Sequence, residues 1–222
     1  MMRFLKLKSA LAAAALIAAA PASAAIVSLD FEGVGNYNSV GNFYNGGAGT
    51  NYGIQFSPAT LALVDADAGG NGNFANEPSP NTIMFFLDAN NATLDVAAGF
   101  TTGFSFFYTS STAASVNVYD GLGASGNLLA SLALTAQYNA NCTGDPTGDF
   151  CNWTPIGVLF SGTAKSIDFG GTANYTGYDN ITFGSATPGP GPGPGTVPLP
   201  AAAWLFGSAL LGFVAMSNRR RV

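Results

Sequence analysis

The chain has 222 residues, a formal net charge of −5 and no histidine. That length allows one domain of ordinary size with short accessory segments. The missing histidine removes the commonest general base and metal ligand, and with it any Ser-His-Asp or Cys-His nucleophilic system. Charge is segregated along the chain. All twelve acids lie between residues 26 and 185, where Lys165 is the only basic residue, so this region carries about −11. Such a surface repels nucleic acid and anionic lipid, so nucleic acid is excluded as a partner, while divalent cations are attracted diffusely.

Residues 1–25 have the plan of a signal peptide. Arg3, Lys6 and Lys8 precede an apolar stretch from Ala10 to Ala20, and Ala22-Ser23-Ala24 fits small-residue cleavage, so the mature chain is expected to start at Ala25 or Ile26. The apolar stretch is short for a retained anchor.

From residue 26 to 185 the pattern is β. Strands are expected near 26–31, 52–57, 60–65, 82–87, 92–96 and 156–161. Between them, Phe104, Phe106 and Tyr108 alternate with Ser105 and Phe107, and Val116 and Val118 with Asn117 and Tyr119. Leu128, Ala130, Leu132 and Leu134 share a face. Ile167 and Phe169, then Ile181 and Phe183, repeat the same period of two. Gly69-Gly70-Asn71-Gly72, Asp120-Gly121 and Gly170-Gly171 punctuate the runs. About ten short strands at this spacing predict an all-β domain, a single antiparallel jelly-roll-like β-sandwich, with a closed barrel as the other architecture. Cys142 and Cys151 are the only cysteines. An oxidising compartment predicts one disulfide between them; the rival, a soft metal site, lacks ligands.

Three kinds of chemistry have candidates in this region. Asp65-Ala66-Asp67 opens like a calcium loop, but Gly69 stands at the third ligand position and Glu77 comes one residue late, so a Gly/Asp-rich turn is the better reading. Glycoside hydrolysis needs two facing carboxylates. None of the twelve acids lies in a distinctive motif, so no catalytic residue is assigned and the chain is read as a non-enzyme. Surface aromatics could stack on sugar rings. Tyr108, Tyr119, Tyr138, Trp153, Tyr175 and Tyr178 are candidates, with Trp153 and Tyr178 singled out as glycan contacts and ordinary core or rim packing as the alternative.

Residues 186–196 form a Pro/Gly spacer. After it come Val197-Pro198-Leu199-Pro200, an apolar run over 201–217 and Arg219-Arg220-Arg221. The run predicts one C-terminal transmembrane helix, short for a hydrocarbon core of about 30 Å but extended by snorkelling arginines on the cytoplasmic side. This tail resembles the PEP-CTERM sorting signal of Gram-negative bacteria, in a variant with Leu199 where Glu is usual. The resemblance implies a membrane-anchored intermediate, recognition by an exosortase and cleavage near Pro198–Pro200.

The body also resembles carbohydrate-binding-module-like sandwiches. The matching pieces are Asp30-Phe31-Glu32, Phe104-Ser105-Phe106-Phe107-Tyr108, Val118-Tyr119-Asp120-Gly121 and Tyr178-Asp179-Asn180-Ile181. That resemblance implies a structural calcium ion joining Glu32 to Asp179, with carbonyls from the loop over residues 65–73. Together the two resemblances imply a non-catalytic structural or adhesive protein of the cell envelope or extracellular matrix, linked to exopolysaccharide or biofilm. The alternative is a carbohydrate-binding module that contacts exopolysaccharide directly.

Overall fold

The computed structural model describes residues 26–137, 142–145 and 147–189. The signal peptide, Tyr138, the Val197–Pro200 motif, the apolar run and Arg219–Arg221 lie outside the described residues. Among the described residues no helix is long and apolar enough to cross a membrane.

Among the described residues, eleven strands form two sheets. The strands are β1 (Val27–Leu29), β2 (Ile54–Phe56), β3 (Leu61–Val64), β4 (Thr82–Phe85), β5 (Asn91–Phe100), β6 (Gly103–Ser110), β7 (Ala114–Tyr119), β8 (Leu128–Leu134), β9 (Thr154–Leu159), β10 (Ala164–Gly170) and β11 (Thr176–Phe183). One sheet has the order β3-β4-β11-β6-β9, with β1 also paired to β11; the other has the order β2-β5-β10-β7-β8. Every strand pair is antiparallel. The expected sandwich is therefore what forms, rather than a closed barrel. Pro155 sits on β9, at an edge, where a missing N–H leaves no ladder bond unmade.

The inward face follows from alternation. Phe104, Phe106 and Tyr108 on β6 are buried, as are Val116 and Val118 on β7, Leu132 and Leu134 on β8, and Ile167 and Phe169 on β10. Aromatic rings join the two sheets. Phe169 lies 6.0 Å from Phe104, 6.0 Å from Phe106 and 5.0 Å from Tyr178, in edge-on geometries. Strand β5 runs further than the expected 92–96. Ala97, Ala98 and Gly99 are weak strand formers, but the pairing of Phe100 with Ala164 holds the extension, with a register shift opposite it.

Strand β11 is the exception to simple alternation. Its pairing with β6 shifts register between Asp179 and Thr182, and Asn180 has a φ of 47°. The bulge adds one residue to the strand and changes which side chains face inward. Asn tolerates this left-handed conformation, whereas a β-branched residue does not. Asn180→Val should therefore lower unfolding free energy by about 2 kcal/mol or more, with Asn180→Gly clearly milder, as read by denaturant titration. Equal stability of the two variants would sink this account of the strand.

Candidate functional site

The outer face of the first sheet carries a second, smaller apolar cluster. Residues that alternate away from the main core supply it: Leu63 on β3 and Ile83 and Phe85 on β4. Two loops fold over them and add Phe74 and Phe150, with Leu61 and Trp153 packed at the side. The loops are zipped together. Phe74 and Phe150 form a parallel bridge, and the Asp149 and Phe150 N–H groups donate to Asn73 O at 2.7 and 3.1 Å. The Cys142–Cys151 disulfide forms as expected, with Cα atoms 5.3 Å apart, and closes the loop that carries Phe150.

This cluster floors a cleft. Leu63, Phe74, Ile83, Phe85 and Phe150 line its bottom, and Asn73, Thr109, Asn174 and Tyr175 bring polar groups to its walls. Tyr175 is 50% exposed. On the side of Phe85, Tyr37 is 45% exposed, with its ring 5.9 Å from that of Phe85. The Tyr37 N–H donates to Ala62 O at 2.8 Å, which fixes its backbone on the sheet. Thr109 is buried, and its Oγ1 has no hydrogen-bond partner among the described residues.

The two singled-out aromatics behave differently from one another. Trp153 is half-buried beside the cleft floor. Its ring meets Phe74 edge-on at 6.2 Å and its Nε1–H donates to Ala75 O at 3.1 Å, so its main work is to hold the covering loop. Tyr178 is not a glycan contact: it is 0% exposed, inside the sandwich. Its hydroxyl donates to Gly170 O, and burial pushes its pKa far up. The bulge at Asn180 is the reason. Alternation carried back from Ile181 and Phe183 sends residue 178 outward, and the extra residue turns it in. Tyr108, only 3% exposed, is likewise core, and Tyr119 is half-buried. Of the five aromatic candidates among the described residues, Tyr175 is the one that the structure places on the cleft. Tyr37, Asn73 and Asn174 had no local signal, because they come from three separate loops.

Glu32 and Asp179, the expected calcium pair, both hold the segment over residues 79–82. Glu32 Oε1 accepts from the Asn81 and Thr82 N–H groups at 2.8 Å each, and Oε2 accepts from Thr82 Oγ1 at 3.1 Å. Asp179 Oδ2 accepts from Ser79 N–H at 2.7 Å and Oδ1 from Asn180 N–H at 2.6 Å. The oxygens of both carboxylates are thus engaged by protein donors. Burial pushes the Asp179 carboxyl up to about 7, against hydrogen bonds from Ser79 and Asn180 that lower it, and the nearby Asp30 raises it further.

No family model matches the chain, and no curated protein matches it. Solved structures with a similar arrangement of strands are distant. The K2 cleaved adhesin domain of Lys-gingipain is 12% identical, covers 72% of this chain and 99% of its own, and has a TM-score of 0.47. A carbohydrate-binding module from Cellvibrio mixtus lichenase 5A, solved with cellotriose, is 17% identical over 58% of this chain and 88% of its own, at a TM-score of 0.34. A module from Clostridium stercorarium, solved with cellobiose, is 15% identical over 71% and 92%, at 0.37.

The raised Asp179 carboxyl has a consequence for stability. Its ordinary value is 3.8 and its folded value about 7, so the folded chain binds the extra proton between these limits. Stability from this group is fully present below pH 3.8 and is lost as pH rises through about 7. In chelator, the Tm of the full chain should fall between pH 4 and pH 7. Asp179→Asn should flatten that fall while lowering Tm throughout, because an amide cannot accept from both N–H groups. A Tm that climbs from pH 5 to pH 7 would contradict the assignment.

Proposed function

We propose that the chain is an exported envelope or matrix protein whose sandwich binds glycan without transforming it. The cleft beside Tyr175, with Tyr37 packed on its floor residue Phe85, carries this reading. Exposed aromatic faces suit the apolar faces of sugar rings. The amides of Asn73 and Asn174 can donate to and accept from hydroxyl groups. Among the described residues, those that line the cleft include no carboxylate, whereas glycoside hydrolysis uses a pair of them. The acidic body disfavours anionic polysaccharide, so a neutral or amino-sugar polymer is the expected ligand.

Export is supported by the N-terminal segment and by a disulfide of the kind that persists in oxidising compartments. Routing by an exosortase rests on the resemblance of residues 197–222 to a PEP-CTERM signal. Under this reading the spacer and tail deliver the module to the cell surface or matrix, where it meets exopolysaccharide.

The full chain, purified in detergent, should be retained by at least one neutral or amino-sugar polysaccharide. Tyr175→Ala should weaken retention about tenfold or more, because an exposed aromatic anchor carries a large share of binding energy at such sites. Unaltered far-UV circular dichroism would show that the variant still folds. A chain retained on no glycan would return the body to a purely structural or adhesive role. Mass analysis of the mature protein from fractionated cells should find Arg219–Val222 absent; an intact C-terminus throughout would remove the sorting reading.

A further inference from the structure

Away from the cleft floor, one cluster of charge has no cation to balance it among the described residues. Asp65 follows β3, Asp67 lies two residues on, and Asp145 comes from the loop closed by the disulfide. Each brings a carboxylate oxygen to within 4.8 Å of the others. Asp65 and Asp145 are each 7% exposed. Asp65 Oδ1 and Asp145 Oδ2 are buried and have no hydrogen-bond partner among the described residues.

The loop around Asp145 is built to leave that oxygen over. Its Oδ1 accepts from Thr147 N–H at 2.8 Å, Thr147 Oγ1–H at 2.7 Å and Gly148 N–H at 3.1 Å. These bonds fix the orientation of the carboxylate and use only one of its two oxygens. Its Oδ2 is left in a buried spot with no donor among the described residues. A fourth carboxyl, Glu77, is nearby. Burial first, then the charges of Asp65, Glu32 and Asp145, push it up to about 7. The only cationic side chain between residues 26 and 189 is Lys165, which lies on β10 in the other sheet. Buried carboxylate oxygens without a donor or counter-charge are strongly disfavoured, and a bound cation relieves that.

We propose that Asp65, Asp67 and Asp145 form a calcium site that ties the β3–β4 loop to the disulfide loop. All the ligands offered are hard oxygens, which calcium accepts in flexible geometry at about 2.3–2.6 Å. The ion would sit at the base of the same two loops that Phe74 and Phe150 zip together higher up, and would add a third clamp to the wall of the cleft. The inference does not depend on what the cleft binds.

Asp67 is exposed, so Asp67→Asn replaces a charged ligand by a weaker neutral one without disturbing the core. The full chain is stripped with chelator, and Tm is followed against added calcium, with isothermal calorimetry alongside. The wild type should show a saturable rise of about 3–8 °C by about 10 mM calcium, as expected for a surface site of extracellular affinity. In Asp67→Asn the rise should vanish or require at least tenfold more calcium, while its Tm in chelator equals or exceeds that of the wild type because a repulsion is gone. No shift and no binding heat in the wild type would overturn the proposal. So would an equal calcium response in Asp67→Asn, which would place the ion elsewhere. A magnesium response as large as that of calcium at the same concentration would overturn the choice of metal.

Discussion

The molecule turns on one break of phase in β11. This strand runs through the interior of the first sheet, with β6 on one side and β4 and β1 on the other, and is covered on both faces. With strict alternation, Ile181 and Phe183 could face the core only if Tyr178 faced away. The left-handed Asn180 inserts one residue and brings Tyr178 back inside. There its ring meets Phe106 and Phe169, and its hydroxyl donates to Gly170 O on the opposite sheet. A buried hydroxyl needs such a partner, so the bulge also decides how the two sheets are joined.

The same break settles what faces outward. Gly177 takes the outer position, beside Ile83, Thr109 and Trp153. A Cβ there would stand 2.8 Å from Ile83 Cδ1 and 3.5 Å from the Trp153 ring. Glycine thus lets the covering loops settle directly on the sheet, and the floor of the cleft forms at that spot. Had Tyr178 faced out, its ring would have competed for the surface that the second apolar cluster occupies. Core packing and the candidate site are two results of one local backbone event.

Most strands were legible because alternation reports burial directly. Phe104, Phe106 and Tyr108 face the core as the period of two requires, and the only two cysteines pair. What stayed hidden was anything that depends on a change of period or on distance along the chain. Nothing in Tyr178-Asp179-Asn180-Ile181 announces a bulge, so Tyr178 looked like an outward aromatic. The cleft joins Asn73, Thr109 and Tyr175, which only the topology assembles. The acid trio shows the same division: Asp65 and Asp67 were visible as a loop of two carboxylates, but their third member lies in a loop that the disulfide and the Asn73 hydrogen bonds fold against them.

The covering loops pose a problem that the sandwich core does not solve for them. They are rich in Gly, Asn and Asp, and their apolar contribution is small, chiefly Phe74 and Phe150 with Trp153 at the side. Ordering such segments costs about 1–2 kcal/mol per residue in backbone entropy, more than a few buried rings return. The chain answers with cross-links placed at intervals: the Cys142–Cys151 bond, the Asn73 hydrogen bonds to residues 149 and 150, the Trp153 indole on Ala75 O, and the acid trio at the base. Three of these are complete within the protein itself. The fourth concentrates negative charge, which helps hold two loops together only if a cation joins it. Such a clamp is favoured wherever calcium is abundant, and the wall of the cleft is the part of the molecule that would gain most from it.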